Sequence, residues 1–299
     1  MARKTLNLRH VTIIGAGLLG GSAGLAIKRA CRGVHVAGVG RRQKSLNEAL
    51  AAGAIDSAHL EAATPVACSD LVILATPVGA FGKYLTDIAP CLKRGVLVTD
   101  VGSTKAVVVR TAEGILGRGG PFVGTHPMAG SERKGARFAR ADLFAGATCI
   151  VTPTASTPAA LVRRAERLWQ ALGMKTVRMD PVAHDRAMAA VSHLPHALAA
   201  LLAMLPAQAA MKVAGKGLAD MTRLAGGDAE VWRDIFLTNR AAMLAAIDDL
   251  DERLMALRDL MELGDAVGLL RLLAAAKKRR DTQIANRCDD PPTKRRKGR

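Results

Sequence analysis

The feature that most limits how this chain can fold is a glycine-phased stretch near its start, VTIIGAGLLGGSAGLAI, residues 11–27. Gly15-x-Gly17-x-x-Gly20 lies between a β-branched run and a helical pattern. In a strand–turn–helix unit the first glycine allows the tight turn and the second lets a pyrophosphate approach the backbone. The third lets helix and strand pack closely, and the helix N-terminus faces the anion. Leu18 and Leu19 complete the turn. The pattern predicts a dinucleotide site at the head of a Rossmann-type sheet. The same region has the outline of an export signal, since a basic MARKTLNLRH precedes 17 uncharged residues. Five of those 17 are phased glycines, which argues for a folded domain of a cytoplasmic protein. No other stretch is expected to reach the apolar length of a membrane span.

Short β-branched runs then alternate with helical stretches. Candidate strands cover 10–15, 34–39, 71–76, 96–100, 121–125, 147–152 and 176–180. Strand–helix alternation predicts an α/β fold with a parallel, doubly wound sheet, and continuous apolar runs such as LVILAT fit burial on both faces. After residue 180 the strands cease. HDRAMAAVSHLPHALAALLAML and DAEVWRDIFLTNRAAMLAAIDDLDERLMALRDLMEL read as long amphipathic helices, the second without an internal breaker. A helix of that length suggests helix-on-helix packing with a second copy of the chain. The expected organisation is a dinucleotide-binding domain over 1–180, an all-α substrate and dimerisation domain over 181–280, and a basic disordered tail over 281–299.

The formal net charge is +17. Residues 277–299 hold ten Lys/Arg against three Asp and so supply +7 of it. Such a tail cannot build a core. It suits solubility, with weak nucleic-acid contact as the lesser reading, and the spread of the remaining charge suits anionic ligands. The five cysteines show no paired spacing, which predicts reduced thiols and no metal site.

The end of the second candidate strand bears on cofactor choice. NAD-binding folds usually carry an acid there to bond the ribose 2′-hydroxyl, but this chain reads Val39-Gly40-Arg41-Arg42. A missing carboxylate and two guanidiniums suit a 2′-phosphate, so NADP is favoured over NAD. Thr76, Pro77, Asp100, Ser103 and Lys105 follow strand ends, the edge where open α/β sheets bind ligands, and are expected near the nicotinamide half. His126 ends the next strand on that edge, and Pro127 holds it extended. Imidazole suits proton transfer near neutral pH. Ser103 is expected to bond one ring nitrogen and leave the other for a substrate hydroxyl.

Four motifs, DVGSTK, THPMAGSERKGARFARADLFAGATCIVTP, HDRAMAAVSHLPHALA and LADMTRLAGGDAEVWRDIFLTNR, resemble the prephenate/arogenate dehydrogenase family of tyrosine biosynthesis over residues 10–260. The resemblance implies oxidative decarboxylation of a cyclohexadienol with hydride transfer to NAD(P). It implies that His126 takes or hydrogen-bonds the ring hydroxyl proton and that Ser103 orients it. It also implies that His196 and Arg223 contact the substrate, and that Ser131, Glu132 and Asp185 line or gate the pocket. Arg223 is expected to serve its own subunit or a dimer partner. Ala219 stands where some relatives carry a basic residue. Some arogenate-specific relatives lack the second histidine of SHLPH, so His196 favours prephenate. The rivals are a two-domain hydroxyacid dehydrogenase with a lysine acid, and a non-enzymatic nucleotide or nucleic-acid binder.

Overall fold

The computed structural model describes residues 6–130, 133–207 and 209–288. Its centre is one sheet of eight strands: β1 (His10–Ile14), β2 (His35–Val39), β3 (Ser57–His59), β4 (Leu71–Leu74), β5 (Leu97–Asp100), β6 (Phe122–Pro127), β7 (Thr148–Thr152) and β8 (Lys175–Arg178). The spatial order is β3-β2-β1-β4-β5-β6-β7-β8. The chain moves outward from β1 in one direction and then in the other, so the switch point lies between β1 and β4, beside the glycine turn. The helices α1 (Leu18–Ala30), α2 (Gln43–Ala51), α3 (Ala63–Ala67), α4 (Phe81–Ile88), α5 (Ala106–Leu116) and α6 (Ala159–Ala171) flank the sheet.

Strand periodicity explains the two cores. Alternate side chains point to opposite faces. Ile13, Leu71, Ile73 and Leu97 join Ile27, Val123 and Trp169 in one cluster. Their strand neighbours Ile14, Val72, Leu74 and Val98 join Phe81, Leu85 and Val109 in the other. Both faces are dry, which is why these strands read as unbroken apolar runs.

The expected all-parallel sheet needs one correction: β6 and β7 pair antiparallel, Thr125 opposite Val151 and His126 opposite Ile150. A parallel return requires a crossover helix. The segment between these strands carries, among described residues, only the short 3-10 turn Ala136–Phe138. The strand β3 was not anticipated, since three residues of SAH give no periodic pattern.

The remaining helices are α7 (Pro181–Met188), α8 (Leu194–Met204), α9 (Lys216–Thr222), α10 (Ala229–Thr238), α11 (Arg240–Glu262) and α12 (Ala266–Cys288). The run expected as one helix from 228 to 263 breaks at Asn239, whose φ of −107° and ψ of 27° leave the helical region. Asn239 is 4% exposed. Its amide turns inward to the Asp185 carbonyl and to His193, and those two bonds offset the broken ladder. Pro195 ends no helix. A π-turn, Ala189–His193, joins α7 to α8 and absorbs the missing donor. The run Pro181–Met204 is also long and apolar enough to cross a bilayer by length and composition, contrary to the sequence expectation. Its His184, Asp185 and His193 are nevertheless hydrogen-bonded inside the protein.

The chain divides into two compact units, Met1–Met243 and Leu244–Arg299. The second is helical. Gly264, at φ +64°, closes α11, and the Asp265 carboxylate accepts the Gly268 amide in the first turn of α12. Residues 281–288, expected as disordered tail, continue α12. The strong helix formers of the preceding run LLRLLAAAKKRR, residues 269–280, carry the helix into this segment, since extending a helix is easier than nucleating one. Residues 289–299 lie outside the described residues.

Gly24 supplies a stability test, because a Cβ there would run into the Ala54 carbonyl oxygen. Gly24→Val is expected to cost about 1–3 kcal/mol by overpacking, read as a lowered midpoint in urea unfolding.

Candidate active site

The glycines of the first turn have three separate tasks. Gly15 sits at φ +100°, and a Cβ there would lie 2.6 Å from the Ala75 carbonyl oxygen. A Cβ on Gly20 would strike the Gly15 carbonyl and lie 2.9 Å from Ile13 Cγ2. Around Gly17 there is open space, and this residue caps α1. Bare backbone facing open ground at a helix N-terminus fits a pyrophosphate. Leu18 and Leu19 form the half-buried first turn behind it. Across the switch point lie half-buried Thr76 and exposed Pro77. At the end of β2, the Gly40 amide donates to the His59 carbonyl at 3.1 Å, and Arg41 and Arg42 are exposed beside it.

Asp100 does not face this ground. It is fully buried and paired with a fully buried Lys105 at 2.7 Å. Its carboxylate also accepts the amides of Gly102 (2.8 Å) and Thr125 (2.9 Å). Lys105 completes its bonding with the carbonyls of Gly102 and Thr104. Burial pushes the Asp100 carboxyl upward, opposed by the Lys105 charge. The expected cofactor contact at Asp100 is therefore replaced by a sealed ion pair beneath the site. A β-strand end places one residue at the ligand edge and turns the next inward, and Asp100 is the inward one.

His126, at the end of β6, is 8% exposed. Its Nδ1 lies 2.9 Å from His184 Nε2, with the two rings edge-on at a centroid distance of 5.1 Å. His184 Nδ1 lies 2.8 Å from the Asp185 carboxylate. That carboxylate also accepts the backbone amides of Lys105 (2.7 Å) and Ala106 (2.8 Å), so it caps α5. Two expectations change here. His184, not Ser103, holds His126; among the described residues the half-buried Ser103 makes no hydrogen bond to it. Asp185 does not line a pocket but stands behind His184. Burial, with the nearby Lys105 charge second, holds His126 well below the usual imidazole range. Burial thus favours the neutral form of this imidazole at the strand's end.

The helical segments add a second group. His193 is buried, and its Nδ1 takes a 3.0 Å bond from the Asn239 amide, which also donates to the Asp185 carbonyl at 2.8 Å. Burial lowers the His193 pKa to about 4. Its Nε2 has no partner among the described residues. His196 is half-buried and donates Nδ1–H to the Ser192 carbonyl at 2.9 Å. It stacks on Trp232 at 3.5 Å and 24°. Burial first, and the charge of exposed Arg223 as well, depress its pKa. Ser131 and Glu132 lie outside the described residues. Their neighbour Lys134 pairs with Asp228, the N-cap of α10.

The structure thus brings His126, His184, Asp185, Asn239 and His193 into one bonded group, with His196, Trp232 and Arg223 as a second. Sequence reasoning missed His184, Trp232 and Asn239. His184 stood in a quoted motif beside Asp185, and neighbouring residues on a helix do not ordinarily share a task. A cavity of about 490 Å³ lies elsewhere, lined by Leu6, Leu8, Leu71, Leu97, Arg164 and Leu168 among others. It touches the beginnings of β4 and β5, the edge opposite the glycine turn, and its lining includes no histidine or acid.

Comparison with known proteins places this geometry. Residues 23–178 match the family "Prephenate dehydrogenase, nucleotide-binding domain", and residues 180–275 match "Prephenate dehydrogenase, dimerization domain". A prephenate dehydrogenase of Bacillus subtilis (strain 168) is 34% identical over 278 residues, covering 91% of this chain and 75% of that protein. The crystal structure of prephenate dehydrogenase from A. aeolicus, in complex with hydroxyphenyl propionate and NAD+, superposes with a TM-score of 0.87 at 32% identity, over 93% of this chain and 99% of that one. Synechocystis arogenate dehydrogenase superposes with a TM-score of 0.78 at 28% identity, over 92% and 99%.

The buried pair beneath His126 yields a stability prediction. Lys105→Met strands the Asp100 carboxyl in a dry interior and is expected to cost about 3–5 kcal/mol. The double variant Lys105→Met/Asp100→Leu should recover much of that loss in the same denaturation measurement.

Proposed function

Because this chain belongs to the prephenate dehydrogenase family, we propose that it oxidatively decarboxylates prephenate to 4-hydroxyphenylpyruvate with hydride transfer to NAD(P). The observation that carries the reading is the buried His126 at the end of β6, held at Nδ1 by His184 from the helix α7. The dinucleotide, when bound at Gly15, Gly17 and Gly20, supplies the hydride acceptor. His126 takes the proton of the ring hydroxyl as that carbon is oxidised. Loss of the ring carboxylate as CO2 then makes the ring aromatic. Arg223 grips a substrate carboxylate, for which a guanidinium is well shaped, and His196 bears on the same end. The resemblance also assigns Ser131 and Glu132 to the substrate side, whereas the orienting role it gives Ser103 is taken here by His184. These roles rest on the family resemblance together with the observed neighbourhood of His126 and His196.

Arg41 and Arg42, with no acid at Gly40, support NADP over NAD. Arogenate is the second reading, favoured by the similarity to the Synechocystis enzyme. A homodimer is supported by the match to the dimerisation domain and by the exposed Leu254, Met255, Met261, Leu270 and Leu273 of α11 and α12. The free thiols Cys31, Cys68, Cys91 and Cys149 suit the cytoplasm.

The decisive assay offers prephenate or arogenate, each with NAD or NADP, and follows the absorbance of the reduced cofactor. Turnover with prephenate is expected, faster with NADP; silence in all four mixtures would end the proposal. His126→Asn should keep cofactor affinity and lower kcat by about 10²-fold or more. Arg223→Ala should instead raise KM by about 10-fold or more, the scale of a charge-assisted hydrogen bond.

A further inference from the structure

We propose that His184 and Asp185 are positioning residues that fix the tautomer of His126 and hold the substrate's proton during the reaction. The inference rests on the reading of His126 as the base. It begins from donor and acceptor accounting. Three donors converge on the two Asp185 oxygens: the amides of Lys105 and Ala106 and one ring nitrogen of His184. A carboxylate only accepts, so the His184 proton sits on Nδ1 and its Nε2 carries a lone pair. That lone pair faces His126 Nδ1 at 2.9 Å, so His126 must carry its own proton on Nδ1. Its Nε2 is then the bare nitrogen. Free imidazoles distribute between tautomers, and here two successive bonds remove the choice.

The same wiring gives the proton a destination. As hydrogen leaves the hydroxyl-bearing carbon as hydride, for which the dinucleotide of the proposed reaction would be the acceptor, the hydroxyl proton goes to His126 Nε2, and the oxygen becomes a carbonyl. The Nδ1 proton of His126 can pass to His184 Nε2, leaving His126 neutral and His184 an imidazolium against Asp185. When the ring carboxylate departs as CO2, its bonding pair enters the ring and the oxygen becomes a phenolate. The phenolate takes the proton back along the same path, so no proton is consumed or released.

The groups packed about this dyad fit the task. From the β5–α5 segment come the ion-paired Lys105 and Asp100, of which Lys105 acts the more strongly on both imidazoles; from β7 comes the Cys149 thiol, kept un-ionised by burial. From the π-turn comes neutral His193, itself coupled to His196. Asp185 is thus the one negative group near the dyad that no lysine or arginine side chain offsets among the described residues. Burial opposes protonation of His184 and the Asp185 bond favours it.

The first test needs no ligand. In the free protein labelled with 15N-histidine, both His126 and His184 should show the Nδ1–H tautomer at neutral pH, assigned with His126→Asn and His184→Gln. An Nε2–H tautomer at His126 overturns the proposal. The kinetic test uses two variants. His184→Gln can still accept from His126 through its amide oxygen but cannot take a proton, so the His126 tautomer should persist while kcat falls about 10-fold. Asp185→Asn should move the acid limb of the kcat profile about one pH unit or more to lower pH, because the dyad loses its counter-charge. KM should change less than about threefold in both. An unchanged kcat and acid limb in His184→Gln would remove the proton-holding role, even if Asp185→Asn fails to fold through loss of the α5 cap. Absence of wild-type turnover on either substrate would instead count against the proposed function, with the tautomer result standing on its own.

Discussion

The bond on which the site depends is the one from Asp185 to the first turn of α5. Its carboxylate caps that helix by accepting the Lys105 and Ala106 amides, and the same oxygen that takes the Lys105 amide also takes His184 Nδ1. One side chain therefore joins the α7 helix to the sheet's ligand edge and aims the histidine that holds His126. Helix N-termini leave unpaired amides that must be satisfied. Here the need is met from a distant part of the chain, 79 residues away for Ala106, and not by a local Ser or Asp. The preceding residue, Lys105, has its side chain buried under the same turn, so α5 begins between the Asp185 carboxylate that caps it and the Asp100–Lys105 ion pair.

A second layer of the same logic holds the helices. The Asn239 amide spends its two hydrogens on the Asp185 carbonyl and on His193 Nδ1. The α10–α11 break is thus tied to the residue that caps α5. Thr104 and Thr238 add a hydroxyl bond of 3.0 Å between the same regions. Buried polar networks of this kind are costly when incomplete and rigid when satisfied. That fits a site in which one imidazole has to keep a single orientation.

The sheet was legible in the sequence because its information is local. The glycine spacing, the apolar runs LVILAT and VLVTD and the helical stretches between them each announce an element without reference to the rest. The site was half legible. His126 could be found because a strand end and a following proline mark it. Its partner could not, because Ser103 and His184 are equally polar and only the path of α7 decides which one arrives. Asp100 and Asp185 were misjudged for one reason: a carboxylate near a site reads the same whether it faces ligand or backbone amides, and burial alone separates the cases. The unbroken helix expected through Asn239 failed likewise, since propensity carries no knowledge of a distant carbonyl in need of a donor. The antiparallel β7 turned on a missing crossover helix, which is a matter of connection and not of strand pattern.

The depth of the Lys105–Asp100 pair also separates two kinds of charge in the molecule. Arg41, Arg42 and Arg223 stand in solvent, where dissolved ions screen them over roughly 10 Å at moderate ionic strength. Lys105 and Asp100 have no solvent contact, and mobile ions cannot enter between them. Salt therefore weakens the fields of those three arginines, while the buried pair acts on His126 through an interior that the surrounding electrolyte does not reach.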